Sequence, residues 1–419
     1  MGVGEHIMAE QWPVAQARVG DVSPVTTGGS AGNEGRAPQR SEDATGGAGE
    51  AALGIYAVTL STLGTARVSE DGEILDVPRD SRTARADRFG LKSAANRLLP
   101  KDHRTTKCMR WRLPNLEIQV LKGAKTDRAF YHGLQVCAMP WTCPVCASKI
   151  SERRRQEVAH GMKQAEALGL QVFLLTLTVP HGLGDDVNVI VTKMQKAWSR
   201  LWVGRQGMLL RNALGLFGHI RALEVTYGEN GFHPHFHALL FFHPQQTTGA
   251  GWGSLPARWQ QVAVRSGLPA PSLDRGCQID GGDQAANYVT KGVWGLESEV
   301  TKGHTKTGKK GSRTPLDLLK GFMQGDTKAG ALWRVYASAF EGKRQLYWSN
   351  GLKKLLSVAE LSDEEIANKP EDEPALLLAQ ISDMQWKAIY RRKLESTILD
   401  LAETSPDAMR LFLQTLGDQ

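Results

Sequence analysis

Residues 231 to 242 read Gly-Phe-His-Pro-His-Phe-His-Ala-Leu-Leu-Phe-Phe, three histidines at alternate positions leading into an apolar run. That alternation followed by continuous apolar sequence demands a β-strand inside a sheet. On a strand, side chains at i and i+2 leave the same face, so His233, His235 and His237 share one face while Phe236 points to the other. The preceding run from Arg221 to Tyr227 also has strand composition, and Gly228-Glu229-Asn230-Gly231 between the two is turn chemistry. A hairpin symmetric about Glu229 and Asn230 sets Glu224 opposite His235 and Thr226 opposite His233. Opposed residues share a face, so the carboxylate joins the imidazoles. Two imidazole nitrogens and one carboxylate oxygen, with coordination positions left open, suit a divalent ion that must also touch a substrate oxygen. A lone histidine near an apolar strand is ordinarily a satisfied core or surface group. Three at this spacing opposite a glutamate are poorly explained that way.

The charge distribution bears on the partner. The formal net charge is +7, but from Val358 to Gln419 there are 13 Asp and Glu against 6 Lys and Arg. That local balance of −7 leaves +14 on the first 357 residues, which suits a polyanion. Basic clusters fall at Lys149 to Arg155, including Arg153, Arg154 and Arg155, and at Lys302, Lys306, Lys309, Lys310 and Arg313. No run of 18 apolar residues exists and the first 30 residues lack a secretory pattern, so a soluble cytoplasmic protein is expected, with no membrane partner.

Along the chain, residues 1–53 are rich in small polar residues and predict a disordered tail, and 54–106 form a segment of uncertain structure with one plausible strand, Ile55 to Leu60. A cysteine-rich element spans 107–150 and leads into a helix from about Lys149 to Leu168. Within 151–300, strand and helix signals alternate: a strand from Phe173 to Val179, a helix from Val187 to Trp202, the hairpin, a helix from Leu255 to Ser266, a strand from Gly276 to Ile279, and a helix from Asp283 to Lys291. This order predicts an α+β fold with a ferredoxin-like or RNA-recognition-like central antiparallel sheet. A basic extension occupies 301–352, and 353–419 reads as an acidic tail with amphipathic helices at Lys387 to Leu401 and Ala408 to Leu416.

Four of the five cysteines, Cys108, Cys137, Cys143 and Cys146, fall together, and Cys277 stands apart as a small buried residue. The Cys143-Pro-Val-Cys146 pair points to a structural zinc site, because two thiolates of such a turn bind one tetrahedral ion readily. A redox dithiol is the competing reading, but it needs no further cysteines. The wide gap between Cys108 and Cys137 leaves His132 as a substitute ligand for Cys108.

On the helix expected at 283–291, Tyr288 and Lys291 lie three apart on one face, with Gln284 one turn before the tyrosine. A phenol beside a divalent ion and a lysine can attack a phosphodiester, although a Tyr-x-x-Lys alone carries little information.

In order and spacing, the strand ending Leu-Thr-Val-Pro-His181, then Glu224 with His235-Phe-His237, then Tyr288-Val-Thr-Lys291, resemble the three motifs of HUH endonucleases. The chain resembles rolling-circle plasmid or phage replication initiators (Rep proteins) of the single-tyrosine group. In them a cluster ending Cys-Pro-x-Cys and an arginine-rich helix precede the first motif, here Cys137 to Cys146 and Arg153 to Arg155. Segments from Gly311 to Leu319, Trp333 to Tyr336 and Gly342 to Ser349 also look familial, and the likeness covers about Cys108 to Leu352. The resemblance implies DNA nicking and joining through a 5′-phosphotyrosine. It makes His235, His237 and Glu224 ligands of Mg2+ or Mn2+, Tyr288 the nucleophile and Lys291 its phosphate-side assistant. His233 would stand beside the site and His181 would be structural. The implied partners are single-stranded and hairpin origin DNA, a host helicase and a DNA polymerase. Trp294 is a candidate for stacking on an unpaired base. Where some relatives carry a water-activating Glu before the tyrosine, this chain has Gln284, with Asp283 about 100° round the helix, and residue 292 is Gly. A transposase or relaxase would use the same chemistry, and a zinc-stabilised DNA-binding regulator would use none of it.

Overall fold

The computed structural model describes residues 67–68, 74–75, 81–243, 251–280, 311–368 and 374–417. The expectations for the tail 1–53, the strand at Ile55 to Leu60, the helix at 283–291 and the lysines at 302–310 lie outside the described residues.

The central sheet has five strands. β3 (Gln171–Leu177), β4 (Leu216–Gly228), β5 (Gly231–Phe242), β6 (Cys277–Asp280) and β7 (Leu346–Trp348) lie in the order β6-β3-β5-β4-β7, with every neighbouring pair antiparallel. Numbered in chain order, the first four stand 4-1-3-2. The connections between them carry α3 (Val187–Trp202), α4 (Gly204–Leu214) and α5 (Leu255–Arg265). α3 starts where Asp186 accepts from the Asn188 and Val189 amides, and α4 stops at Gly215, which takes φ +67°.

The hairpin has the register its sequence dictates: Glu224 pairs with His235, Thr226 with His233, Ala222 with His237 and Gly228 with Gly231. Gly231 supplies φ +89° at the turn, and a β-carbon there would press on the Gly182 carbonyl and Leu183. The strand alternation sorts β4 and β5 onto two cores. Leu223, Val225, Phe236, Ala238, Leu240 and Phe242 face α3 and α5. Ile220, Ala222, Leu239 and Phe241 face α2 (Pro144–Ala167). The histidines and Glu224 share this second face. Gly161 lets α2 approach the Trp348 ring, since a β-carbon there would lie 2.9 Å from it.

A smaller sheet joins distant parts of the chain. β1 (Ile118–Gly123) pairs with β2 (Ala129–His132) and, on its other edge, with β8 (Ala375–Ile381) from the acidic tail. The helical reading of that tail thus misses a strand, whose Ala-Leu-Leu-Leu-Ala run has no helical alternation of polar residues. The helix expected at 387–401 is also two, α9 (Asp383–Arg392) and α10 (Glu395–Thr404), because Lys393 takes the left-handed φ of +57°. Together with α11 (Pro406–Gly417) they cover this sheet with a core that includes Val120, Tyr131, Trp386, Ile389, Ile398 and Leu413. Within 54–106, α1 (Ser81–Leu98) buries Arg85, which pairs with Asp400 at 2.6 Å and with Glu403. Glu403 also accepts the Ala129 amide at 2.8 Å. The tail is therefore packed against the cysteine-rich element and tied to it by polar contacts. α6 (Pro315–Met323), opened by a Thr314–Asp317 capping box, and α7 (Thr327–Phe340) complete the main core.

One buried histidine makes this fold sensitive to acid. His219 on β4 packs on Trp198 and Trp202, and burial, reinforced by Arg221 and Arg211, pushes its pKa down to about 3. The folded protein holds it neutral, whereas the unfolded chain takes up its proton near pH 6.5. Its contribution is complete above that pH and lost as pH falls toward 3. Between pH 7 and pH 5 the loss is about 2 kcal/mol. A His219→Phe variant should lack that part of the difference between unfolding free energies measured in urea at the two pH values. A difference equal to that of the parent would remove His219 from the account.

Candidate metal centre and cysteine cluster

Glu224 on β4 and His235 and His237 on β5 meet on the face of the sheet turned toward α2. One donor atom from each lies within 4.8 Å of the others. Glu224 Oε2 is 3.2 Å from His235 Nε2 and 3.7 Å from His237 Nε2, and the three side chains are only 10–13% exposed. Donors bound at about 2.1 Å to one ion stand roughly 3.0–3.4 Å apart, so this spacing is close to a coordination shell.

The other ring nitrogens fix the tautomers. His235 Nδ1 lies 3.2 Å from the His233 carbonyl, which can only accept, so Nδ1 carries the proton. His237 Nδ1 lies 2.9 Å from the Thr176 hydroxyl on β3, which can play the same part. His235 Nε2 then aims a lone pair at a carboxylate oxygen, and His237 Nε2 does the same in the tautomer whose Nδ1–H donates to Thr176; that arrangement needs positive charge. Supplying it with protons would set two imidazolium rings with centroids 4.8 Å apart, whereas one divalent cation serves all three donors. The residues present therefore fit a divalent metal.

His233 is outside this set. Its Nδ1 sits 2.6 Å from His181 Nε2, and His181 Nδ1 lies 2.9 Å from the Asn230 carbonyl. The carbonyl fixes the proton on His181 Nδ1, so His233 donates to His181 and keeps its own Nε2 lone pair. Burial, then the neighbouring His235 and His181, push the His233 pKa down to about 4. His181 thus braces His233 across the mouth of the hairpin. Thr176 was not singled out from sequence. Its signal was a threonine interrupting the apolar Phe-Leu-Leu-Thr-Leu strand, and Gln278 of β6 stands opposite it on the same face.

The four cysteines converge although Cys146 follows Cys108 by 38 positions. Sγ–Sγ distances are 3.6 Å for Cys108–Cys146, 3.6 Å for Cys137–Cys146 and 3.8 Å for Cys143–Cys108, and all four are buried. The edge of a tetrahedron with Zn–S bonds of about 2.3 Å is about 3.8 Å, while a disulfide would need about 2.05 Å. His132 is exposed and its place is taken by Cys108. The local fold explains the convergence: Pro144 opens α2, which puts Cys143 at its N-cap and Cys146 in its first turn. Hydrogen bonds from Cys108, Cys137 and Cys143 hold the Cys146 thiol well below the usual range, whereas Cys108 and Cys143 are pushed well above it by the same contacts and by burial. A bound cation is what would hold several thiolates this close together.

Cys277 is buried, and burial raises its thiol to about 12. Of the basic residues, Arg154 pairs with Glu157 at 2.8 Å and Asp363 at 2.9 Å, and Arg155 with Glu152 at 2.6 Å. Arg313 pairs with Asp326 at 3.0 Å, and its main chain bridges to Tyr227. These guanidinium groups are engaged within the fold, while Arg153, just before Arg154 on α2, is half-buried. Tyr288, Lys291, Gln284, Asp283, Trp294, Lys302, Lys306, Lys309 and Lys310 lie outside the described residues.

Comparison with known proteins bears on the identity of this arrangement. Residues 128–263, which hold three of the cysteines and the whole Glu-His-His set, match the model of a family described as Replication protein. A Protein rep of Streptomyces lividans is 26% identical over 345 residues, covering 65% of this chain and 76% of that protein. A Protein rep of Streptococcus pneumoniae is 27% identical over 237 residues, covering 53% and 63%. A Streptomyces cyanogenus protein named Neomycin resistance protein is 30% identical over 135 residues, covering 26% and 30%. No solved structure matches. These matches make the chain similar, through its middle third above all, to Rep replication proteins, the group that its motifs resemble.

Proposed function

We propose that the protein initiates plasmid rolling-circle replication as an HUH endonuclease, nicking and rejoining one DNA strand at its origin. The observation that carries this reading is the convergence of Glu224, His235 and His237 on one sheet face. The 4-1-3-2 strand order, with helices in the β3–β4 and β5–β6 connections, supports the ferredoxin-like reading of the nuclease domain. A divalent cation held by these three groups, Mg2+ or Mn2+, supplies Lewis-acid polarisation of a non-bridging phosphate oxygen.

The chain's own residues do the rest. Thr176 and the His233 carbonyl hold the two imidazoles in their ligating orientation. Tyr288 attacks phosphorus through its phenolic oxygen, the P–O3′ bond breaks, and the proton given up by the phenol passes, directly or through solvent, to the departing 3′ oxygen, which becomes a free hydroxyl. The strand's 5′ phosphate remains on Tyr288, and Lys291 offsets charge on the phosphate. The chain length between β6 and the tyrosine is compatible with this. Tyr288 follows Asp280 by eight positions, a reach of up to about 28 Å, and β6 borders the strand that holds Thr176. The zinc-binding cysteines have a structural role. Arg153 and the lysines from Lys302 to Lys310 bind the DNA backbone, with Arg154, Arg155 and Arg313 contributing where their ion pairs open. A host polymerase extends the 3′-hydroxyl behind a helicase.

A single-stranded origin oligonucleotide with the purified protein and Mn2+ or Mg2+ should give a covalent adduct resistant to denaturing electrophoresis, and EDTA should abolish it. His237→Ala should reduce adduct formation by about a thousandfold or more. Adduct formation that persists undiminished in EDTA would defeat the metal-dependent reading.

A further inference from the structure

The outer edge of the central sheet is open and lies along a cleft of about 750 Å3. β7 is held to β4 through Gln345, Tyr347 and Ser349: Leu223 donates to the Gln345 carbonyl at 2.9 Å and Ser349 to the His219 carbonyl at 2.9 Å. By strand alternation, the N–H and C=O groups of Leu346 and Trp348 point away from β4, into the cleft. Among the described residues no strand pairs with this edge. Ile150 and Arg154 of α2 form the floor, and the opposite wall is the segment from Glu360 to Glu365.

That wall is acidic on a basic protein. Glu360 and Glu364 expose 83% and 57% of their side chains. Of the cations lining the cleft, Arg154 and Lys353 are already paired to Glu157, with Asp363 and Glu360 as further partners, and Arg344 is the third; Glu364 lies 3.6 Å from Arg104 on its outer side. Glu360, Asp363, Glu364 and Glu365 outnumber these three cations, so the cleft is net acidic and suits a cationic extended chain better than a polyanion.

We propose that this edge is a docking site for an extended basic peptide of a partner protein, bound by strand addition to β7. The peptide's main chain pairs with Leu346 and Trp348. Alternate side chains turn toward the α2 floor or reach Glu360 and Glu364 with Lys or Arg, so the recognised segment alternates apolar and basic residues. Gln345 pairs with Leu223, the residue before Glu224, so a partner bound here sits one strand away from the metal-bearing hairpin. The inference does not rest on the nicking reading, and its test reads binding alone.

The full-length chain is titrated with a fluorescein-labelled seven-residue peptide alternating Val and Lys. Saturable binding is expected, with protection of the Leu346 and Trp348 amides from hydrogen exchange. N-methylation of alternate peptide amides, replacement of Lys by Glu in the peptide, and the paired exposed substitutions Glu360→Lys with Glu364→Lys should each weaken binding at least about tenfold. Absence of saturable binding, equal binding of the N-methylated or Glu-containing peptide, or protection of these two amides by single-stranded DNA instead of the peptide would overturn the proposal.

Discussion

Tyr288→Phe should leave the protein able to bind single-stranded origin DNA with affinity within about twofold of the parent, and unable to form the covalent adduct. The substitution keeps the aromatic ring, with its packing and stacking surface, and deletes one oxygen. Binding to DNA draws mainly on phosphate contacts from basic residues, which the change leaves in place. The proposed nucleophile, by contrast, has no substitute close by in the sequence, since residue 292 is glycine and residue 284 is glutamine, whose amide is no nucleophile. A residual rate would have to come from water, so a fall in nicking of about four orders of magnitude or more is expected. Nicking of a supercoiled origin plasmid and adduct formation on an oligonucleotide measure the same bond and should fall together. If the adduct persists in the Phe variant, the nucleophile is another residue. If DNA binding collapses with it, Tyr288 belongs to the binding surface.

The second large effect is expected at the cysteines. The parent should carry one tightly held zinc per chain, measured by elemental analysis, and Cys143→Ser should lose it. The cluster is the centre of a small core made with Ile150, Ile366 and Ala367, and it pins the start of α2, the helix that covers the metal-bearing face. Losing the ion in this variant would leave three buried sulfurs and a serine hydroxyl with no common partner. Structural zinc sites contribute on the order of 10 kcal/mol of apparent binding free energy, and a loss of about 5 kcal/mol or more in unfolding free energy is expected here. Stoichiometric zinc retained in Cys143→Ser, or unfolding indistinguishable from the parent, would rule out a four-cysteine structural site.

The two candidate metal-binding sets differ in how they were legible. The Glu224–His235–His237 set was readable because all three residues sit on one hairpin, whose turn residues and two-residue periodicity determine the register. A one-residue slip would move every apolar side chain of β5 to the wrong face, so the pairing has no near alternative. The four-cysteine set was readable as chemistry and not as geometry. The Cys-x-x-Cys spacing specifies a turn, but nothing local says whether Cys108 or His132 completes the site, since a gap of 28 residues separates Cys108 from Cys137. His181 and Thr176 were weaker still, because their partners lie 52 and 61 residues away in the chain.

The acidic tail shows the same limit. Its charge and helical periodicity suggest a separate appendage, yet β8 pairs with β1 some 250 residues earlier and α10 closes over Arg85. The basic residues of α2 reverse in a similar way: their sequence is that of a DNA-facing helix, but Arg154 and Arg155 meet carboxylates in the fold.

The sequence by itself determined the hairpin, its register and the donor types of both candidate metal-binding sets, because each depends on residues close in the chain or on side-chain chemistry alone. Only the tertiary structure decided that Cys108 completes the cluster, that Thr176 and His181 orient the histidines, that the acidic tail supplies a strand to the cysteine-rich element, and that β7 presents an open edge. Those depend on contacts between segments tens to hundreds of residues apart, which the burial of apolar faces across the whole fold selects and which local patterning leaves undetermined.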